Sequence, residues 1–89
     1  MRLDLYLKKT CLVRQRSTAK EICDAGAVRV NGQVAKAGHG LRPGDRVELR
    51  FANRTLELRV LELPHGNIAK RDTGRYVEVV NETPLDPMD

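Results

Sequence analysis

The amino-acid sequence predicts an α+β fold, in which two short N-terminal helices pack on one face of a small, largely antiparallel, twisted sheet. Three observations support this prediction. The N-terminal part of the chain has apolar residues at helical spacing, and residues 46–51 and 55–60 alternate apolar and polar side chains. The pair Asn31-Gly32 lies between short runs of strand-forming residues. The predicted order is therefore two helices, two hairpins and a last strand.

The first predicted helix covers residues 2–9. At about 100° per residue, Leu3, Tyr6 and Leu7 share one side of it, which we expect to face the sheet. Leu5 lies away from this stripe, so the pattern leaves two possibilities open for it. It is either a second packing contact or an exposed leucine.

The second predicted helix covers residues 17–26, after a connection over residues 11–16 that carries two arginines. Ser17 has the side chain of a good N-cap, and Gly26 suits the position just past a helix C-terminus. The apolar residues between them fall within one arc, and the charged residues lie on the opposite side. This pattern is typical of a helix with one buried face.

A tight hairpin is predicted within residues 27–36. Asn31 and Gly32 both tolerate the positive φ that a type I′ turn requires. Farther along, Pro43 and Gly44 fit the two central positions of a type II turn. Because an isolated two-stranded hairpin is marginal in water, we expect the preceding helix and the following strands to hold this one in place.

The longer strands follow at residues 46–51 and 55–60, where inward apolar residues alternate with Arg and Glu. Cross-strand ion pairing on a solvated face accounts for these charges. The alternation stops at Val60-Leu61, where we expect a bulge or the end of the strand. A polar loop over residues 64–75 leads into a last strand, residues 76–80.

The chain length of 89 residues suffices for one domain with one modest core. We assign residues 1–80 to this domain and residues 81–89 to an acidic tail with two prolines, which we expect to be disordered. No apolar run approaches the roughly 20 residues of a membrane span, and the N-terminus lacks the apolar stretch of a signal peptide. The sequence therefore predicts a cytoplasmic protein without membrane contact, and we expect a monomer.

Metal and catalytic motifs are not recognisable in the sequence. Cys11 and Cys23 are the only cysteines, and we expect both to be small buried thiols. A metal site would need them to join His39 and His65, but no CxxC or HxxxH spacing occurs. There is also no carboxylate pair and no glycine-rich cofactor loop. We therefore predict no metal, no cofactor and no enzymatic activity.

Charge is distributed unevenly along the chain. The formal net charge is +4, but residues 1–36 hold eight Lys or Arg against three acidic residues, whereas residues 76–89 hold four acidic residues and no base. A basic N-terminal half with an acidic tail suggests a polyanionic partner that binds at one end of the molecule. With one Phe, two Tyr and no Trp, the chain has little aromatic surface on which to stack bases.

Several short motifs resemble one known RNA-binding domain. These are "MRLDLYL" at the start, "R-S-x-A-K" running into "G-A-V-R-V-N-G", then Lys36 and "PGD". They resemble the domain first seen in ribosomal small-subunit protein S-four, and the resemblance covers about residues 1–50. It implies two helices against a curved sheet. The whole chain is similar to the RqcP family of ribosome-associated quality-control factors, and to the small heat-shock proteins that bind free large ribosomal subunits.

This resemblance implies partners and contact residues. Proteins of the RqcP family bind large-subunit rRNA and peptidyl-tRNA on stalled subunits and support alanine tailing by RqcH. The resemblance implies RNA contacts by Arg2 and Arg16, and places three further basic residues on the part of the domain that faces RNA. We expect the Asn31-Gly32 hairpin to extend the basic surface of the helices. The full candidate set is Arg2, Lys9, Arg14, Arg16, Lys20, Arg29 and Lys36.

Two functions from different classes follow from the resemblance. The first is a non-catalytic RNA-binding factor acting on large subunits. The alternative is an RNA-binding accessory to an rRNA- or tRNA-modifying enzyme, or a ribosome-recycling heat-shock factor. Since little sequence remains outside the domain, the first is favoured.

Arg2 and Arg16 lie near predicted helix starts, where a cation opposes the helix dipole. The sequence therefore predicts that their removal abolishes binding at little cost in stability.

Overall fold

The predicted α+β fold is confirmed. The computed structural model describes residues 1–66 and 68–84 of the chain. Within them, five strands form one sheet in the order β2-β1-β3-β4-β5, and each neighbouring pair is antiparallel. The elements, in chain order, are α1 (Leu3–Lys9), α2 (Arg16–Asp24), β1 (Val28–Val30), β2 (Gln33–Val34), β3 (Arg46–Arg50), β4 (Arg54–Val60), a 3-10 helix (Lys70–Arg75) and β5 (Val77–Pro84).

The core lies between the two helices and one face of the sheet. Tyr6 is fully buried there, and its hydroxyl donates to the carbonyl oxygen of Tyr76 at 2.7 Å. Burial raises the pKa of Tyr6, so this hydroxyl stays a donor at every ordinary pH. Leu5 is half-buried, which is intermediate between the packing contact and the exposed leucine that the sequence left open. The other core residues of the helices and central strands include Leu3, Leu7, Ala19, Cys23, Val28, Val47, Leu49 and Leu58.

The second helix begins earlier than predicted. Its N-cap is Gln15 rather than Ser17, and no side chain caps it. A serine cap stabilises a helix by only about 1 kcal/mol, which a tertiary contact can outweigh. Arg16 makes such a contact, described below. At the other end, Gly26 has a φ of +78° and follows the helix as predicted.

The Asn31-Gly32 turn is confirmed as type I′, since its φ values are +52° and +88°. The side chain of Asn31 also ties the turn to β3: its Oδ1 accepts from the Arg46 amide at 3.0 Å, and its Nδ2 donates to Asp45 at 3.2 Å. The type II turn is confirmed as well, with a φ of +94° at Gly44. The short hairpin is thus held by the longer strand beside it.

We predict that Gly32→Val destabilises the fold by about 1–3 kcal/mol, because a β-branched residue resists positive φ. A Cβ at this position would meet no atom within 4 Å, so the cost arises from the backbone alone. A thermal melt should show a Tm lower by about 4 °C or more. Gly74→Val is the matched control, since Gly74 has open space and no positive φ. An unchanged Tm for Gly32→Val would contradict the turn assignment.

The C-terminal part of the structure differs from the prediction in two ways. The loop predicted over residues 64–75 contains the 3-10 helix. The last strand, predicted to end at residue 80, continues to Pro84 and pairs with β4 over its whole length. Residues 81–84, predicted as tail, therefore belong to the sheet. The rest of the predicted tail, residues 85–89, lies outside the described residues.

Strand β4 ends where one of the two predicted alternatives places its end, and it has a register shift at another position. Strand β4 simply ends at Val60, so the second of the two alternatives for Val60-Leu61 holds. The register shifts instead between Glu57 and Leu58, which pair with Asn81 and Val79. One extra residue of β5 is left between those partners, which is the geometry of a β-bulge.

The two cysteines differ in burial. Cys23 is buried as predicted, and burial raises the pKa of its thiol to about 11. The prediction of a buried thiol is wrong for Cys11, which is exposed. Cys11 follows α1 with a φ of +63°, and this left-handed conformation takes the chain out of the helix.

Across residues 1–66 and 68–84, no cluster of three metal-ligating side chains occurs. In the same residues no helix has the length and apolar character needed to cross a membrane.

Candidate nucleic-acid interface

Two of the predicted arginines converge on one buried carboxylate. The Nε atom of Arg2 donates to Oδ1 of Asp4 at 3.2 Å, and the Nε atom of Arg16 donates to Oδ2 at 3.2 Å. The Asp4 side chain is 3% exposed, whereas those of the two arginines are 53% and 50% exposed. We call these three residues the Arg-Asp-Arg cluster. One carboxylate thus holds two guanidinium groups side by side at the surface.

Each arginine of the cluster uses only its Nε atom in these contacts. Among the described residues, the terminal Nη atoms of both side chains have no hydrogen-bond partner. A guanidinium has five N–H donors in a planar fork. The Nη donors of both arginines are therefore available to a ligand while Nε holds the side chain in place.

A backbone frame fixes the cluster at the start of α1. Residues 37–41 run along this end of the helix, where the Asp4 amide donates to the Ala37 carbonyl at 3.1 Å and the Leu3 amide to the His39 carbonyl at 2.8 Å. The guanidinium of Arg2 lies over Gly38, where a Cβ would come within 3.7 Å of an Nη atom. The cluster is thus attached to the segment between β2 and β3 as well as to both helices.

The electrostatics of Asp4 combine two opposing effects. Burial by itself would raise the pKa of this carboxyl. Hydrogen bonds from Arg2, Arg16 and the Leu5 amide outweigh burial and lower the pKa below its ordinary value of 3.8. Asp4 is therefore charged at neutral pH. Since its pKa is lowered on folding, it stabilises the folded state above pH 3.8, and this contribution is lost as the pH falls through the lowered pKa.

Two other candidates lie next to the cluster. Lys20 is exposed on α2, one helical turn after Arg16, so the two side chains are on the same side of that helix. Lys36 is exposed and immediately precedes Ala37, whose carbonyl accepts from the start of α1. Basic groups from both helices and from the segment beside them therefore occupy one end of the molecule.

Lys9 lies apart from the cluster, at the opposite end of α1, and Arg14 lies in the connection between the two helices, two residues before Arg16. Helix α1 has seven residues, so its ends are about 10 Å apart. The Nζ atom of Lys9 donates to the Gly66 carbonyl at 2.7 Å, which ties the helix to the loop before the 3-10 helix. Arg14 borders a shallow depression shared with Lys8, Cys11 and Lys70. RNA contacts by Lys9 and Arg14 stay predictions, and a contact by Lys9 would need a second region of a ligand.

Arg29 faces away from the helices. Its neighbours Val28 and Val30 are buried in the core, so the alternation along β1 turns Arg29 to the open face of the sheet. There it lies directly opposite Glu48 of β3. The expectation that the hairpin extends the basic surface of the helices is therefore wrong for Arg29, and an RNA contact by this residue stays a prediction.

The charges on the open face of the sheet pair only in part as predicted. On this face an ion pair joins β4 to β5, with Arg59 at 3.7 Å from Glu78. The pair of Arg54 with Glu82, at 2.8 Å, lies on the other face, since Glu82 is opposite the buried Leu56. Between β3 and β4, however, the register places like charges opposite each other, a pairing that disfavours the sheet: Arg46 with Arg59 and Glu48 with Glu57. These mixed charges give the open face no uniform positive field.

The structure adds one residue that sequence reasoning did not select, Asp4. Two features of the sequence mark its position in retrospect. Asp4 lies at the border of the apolar stripe of α1 rather than opposite it, and it is two residues from Arg2. Its second partner, Arg16, is contributed by the packing of α2 against α1.

Comparison with known proteins gives consistent similarities. Residues 1–47 match the family described as the S4 domain. The chain is 41% identical over 83 residues to the RQC P-site tRNA stabilizing factor of Streptococcus pneumoniae, with 93% of each chain covered. It is 37% identical over 81 residues to the protein of that name from Bacillus subtilis, covering 91% of this chain and 86% of the relative. The trimeric structure of Vibrio cholerae heat shock protein 15 has the same fold: the TM-score is 0.82 at 21% identity, over 90% of this chain and 81% of that one.

Proposed function

Because this chain belongs to the S4-domain family and, as its sequence predicts, to the RQC P-site tRNA stabilizing factors (RqcP), we propose that it is a non-catalytic RNA-binding factor of ribosome-associated quality control. The single observation that carries this proposal on the structural side is the Arg-Asp-Arg cluster. Two guanidinium groups with free Nη donors, held on a rigid helix pair, match the geometry of phosphate oxygens.

The mode of recognition follows from the available side chains. Tyr6 is buried in the core, which leaves half-buried Phe51 and Tyr76 as the other aromatic residues of the chain. A stacking platform for single-stranded bases therefore has little support. The base edges of an A-form helix lie in a deep, narrow groove that side chains cannot enter. We propose that the protein reads the shape and backbone of folded RNA through Arg2, Arg16, Lys20 and Lys36.

The proposed ligand is a large ribosomal subunit that still holds peptidyl-tRNA. The names of the relatives specify P-site tRNA. In this proposal the protein contacts large-subunit rRNA and the tRNA as a monomer in the cytoplasm, and it supports alanine tailing by RqcH on the same subunit. Sucrose-gradient sedimentation of a lysate tests this. We expect the protein on free large subunits, and its presence only on small subunits or only at the top would overturn the proposal.

Binding should also depend steeply on salt. Contacts with about four to six phosphates imply that the logarithm of the binding constant falls with the logarithm of salt concentration at a slope of about −3 to −5. The slope can be measured by co-sedimentation of purified protein with large subunits at several KCl concentrations. A slope near zero would show that the basic end of the molecule is not the interface.

A further inference from the structure

The Arg-Asp-Arg cluster contains a negative charge at the centre of a surface proposed to bind a polyanion. Through-space repulsion from Asp4 opposes RNA binding, so the simplest electrostatic view treats this carboxylate as a defect. The carboxylate is nevertheless 3% exposed and is contacted by arginines from two different helices. Attraction between charges therefore does not explain why a carboxylate lies at the centre of this surface.

Stability does not supply that explanation. Burying a carboxylate carries a desolvation penalty, and replacing buried ion pairs by apolar residues is often neutral or stabilising. The site is bordered by the apolar core residues Leu3 and Leu7, so a small apolar side chain would suit this edge of the helix. Asp4 stabilises the fold only because its hydrogen bonds outweigh that penalty, and filling this position does not by itself require a carboxylate.

The geometry of the hydrogen bonds explains why a carboxylate is present at position 4. Each Asp4 oxygen accepts from one Nε atom, Oδ1 from Arg2 and Oδ2 from Arg16, both at 3.2 Å. An Nε contact restricts the direction of the guanidinium plane and leaves the Nη donors without a hydrogen-bond partner among the described residues. An exposed arginine without such a contact samples many rotamers, which must be restricted when it binds a phosphate.

We infer that Asp4 is a positioning residue for RNA binding: it holds Arg2 and Arg16 by their Nε atoms, so that their Nη donors are arranged for one RNA backbone before it arrives. This inference rests on the proposed function. The Asp4 carboxylate weakens the attraction between protein and RNA only slightly, because two cations cover it. In return, it removes much of the entropic cost of ordering both arginine side chains when RNA binds.

For the variant Asp4→Asn, this inference predicts weaker binding, whereas the change in net charge predicts tighter binding. Asp4→Asn raises the net charge by one unit from +4, so electrostatic attraction alone predicts tighter binding to large subunits. Positioning predicts binding weaker by about tenfold, since the carboxamide is neutral and cannot accept equally from both arginines. The salt slope should also become shallower, because fewer phosphate contacts form. Thermal melts of the same sample report the fold.

A second variant separates positioning from folding. Arg2→Lys with Arg16→Lys keeps the net charge and keeps cations beside Asp4, so it should fold. A lysine has one ammonium group, which cannot both neutralise the carboxylate and reach a phosphate, so binding should weaken. Adding Asp4→Asn to this dilysine variant frees both ammonium groups and should not weaken binding further. The same substitution thus weakens binding in the wild-type background and does not weaken it in the dilysine background.

The test is co-sedimentation of these four proteins with purified large subunits that carry P-site tRNA, at one salt concentration. Wild-type binding, weaker binding by Asp4→Asn and no further loss in the dilysine background would support the inference. Binding by Asp4→Asn as tight as wild type, or tighter, would overturn it while leaving the proposed function intact. If wild type itself does not bind, the proposed function fails and this inference fails with it. If Asp4→Asn does not fold, unchanged binding by the dilysine variant overturns the inference.

Discussion

The variant Arg2→Ala with Arg16→Ala is expected to bind large ribosomal subunits about 10²- to 10⁴-fold more weakly than wild type. Each guanidinium offers its Nη donors to a phosphate, and a charge-assisted hydrogen bond contributes about 1.5–3 kcal/mol. Losing two such contacts, held together by one carboxylate, removes the centre of the proposed interface. Titration of subunits in co-sedimentation measures the effect, with salt kept constant because the affinity depends on it.

A matched control removes the same charge elsewhere. Arg46 and Arg50 are exposed on β3, and neither takes part in an ion pair with any residue in ranges 1–66 and 68–84. Arg46→Ala with Arg50→Ala lowers the net charge by the same two units but leaves the cluster intact. We expect a loss of affinity of less than about tenfold from long-range attraction alone. Equal losses for both double variants would contradict a defined interface at the helix starts.

The second large effect is on stability. Without its arginines, Asp4 keeps only the Leu5 amide as a hydrogen-bond donor, at a position where its side chain is 3% exposed in the wild type. A buried charge that loses its partners is strongly destabilising, and because the arginines are half exposed we expect about 1–3 kcal/mol here. Burial is then opposed only by the hydrogen bond from the Leu5 amide, so it raises the pKa of Asp4. The destabilisation is present at neutral pH and should shrink as the pH falls and the carboxyl is protonated.

Thermal melts of wild type and the double alanine variant between pH 7 and pH 4 measure this effect. In wild type the contribution of Asp4 is fully present down to about its ordinary pKa of 3.8, because its folded-state pKa is lowered. In the double variant the raised pKa lets the buried carboxyl be protonated at higher pH, which relieves the destabilisation, so the two curves should approach each other as the pH falls. Adding Asp4→Asn to the double variant removes the buried charge and should restore most of the lost Tm. Equal Tm values for wild type and the double variant at pH 7 would show that Asp4 does not depend on the arginines.

This stability effect reverses the expectation from sequence, and the reason is a tertiary contact. Considered alone, Arg2 and Arg16 only oppose helix dipoles, so their removal appears harmless. The packing of α2 on α1 brings Arg16 to a carboxylate twelve residues away in the chain. Periodicity places Asp4 at the border of the buried stripe, but it does not specify which residue of another helix will meet it.

Local features of the fold were predictable because they depend on backbone conformation. Asn31-Gly32 and Gly44 have the positive φ values that their turns require, and Gly26 follows α2 in the same way. The extension of β5 was not predictable in this manner. Asn81, Glu82 and Thr83 are polar and exposed, so no burial pattern marks them as a strand, and their pairing is with the backbone of β4.

The position of Arg29 was available in the sequence but was not used. Val28 and Val30 are apolar on either side of it, and strict alternation in a strand turns the middle residue away from the core. The helices cover the core face, so a basic residue between two buried valines lies on the other side of the sheet. A high positive charge in one stretch of sequence therefore does not imply one basic surface.

The most direct test of the Arg-Asp-Arg cluster as the RNA-binding centre is co-sedimentation of the triple variant Arg2→Ala, Arg16→Ala and Asp4→Asn with large subunits. This variant carries no unpaired buried charge at the site, and its net charge is one unit below the wild-type +4, the same as that of Arg46→Ala. We predict a Tm near that of wild type, loss of binding by the triple variant and retained binding by Arg46→Ala. A triple variant that sediments with large subunits at the wild-type level would contradict the assignment.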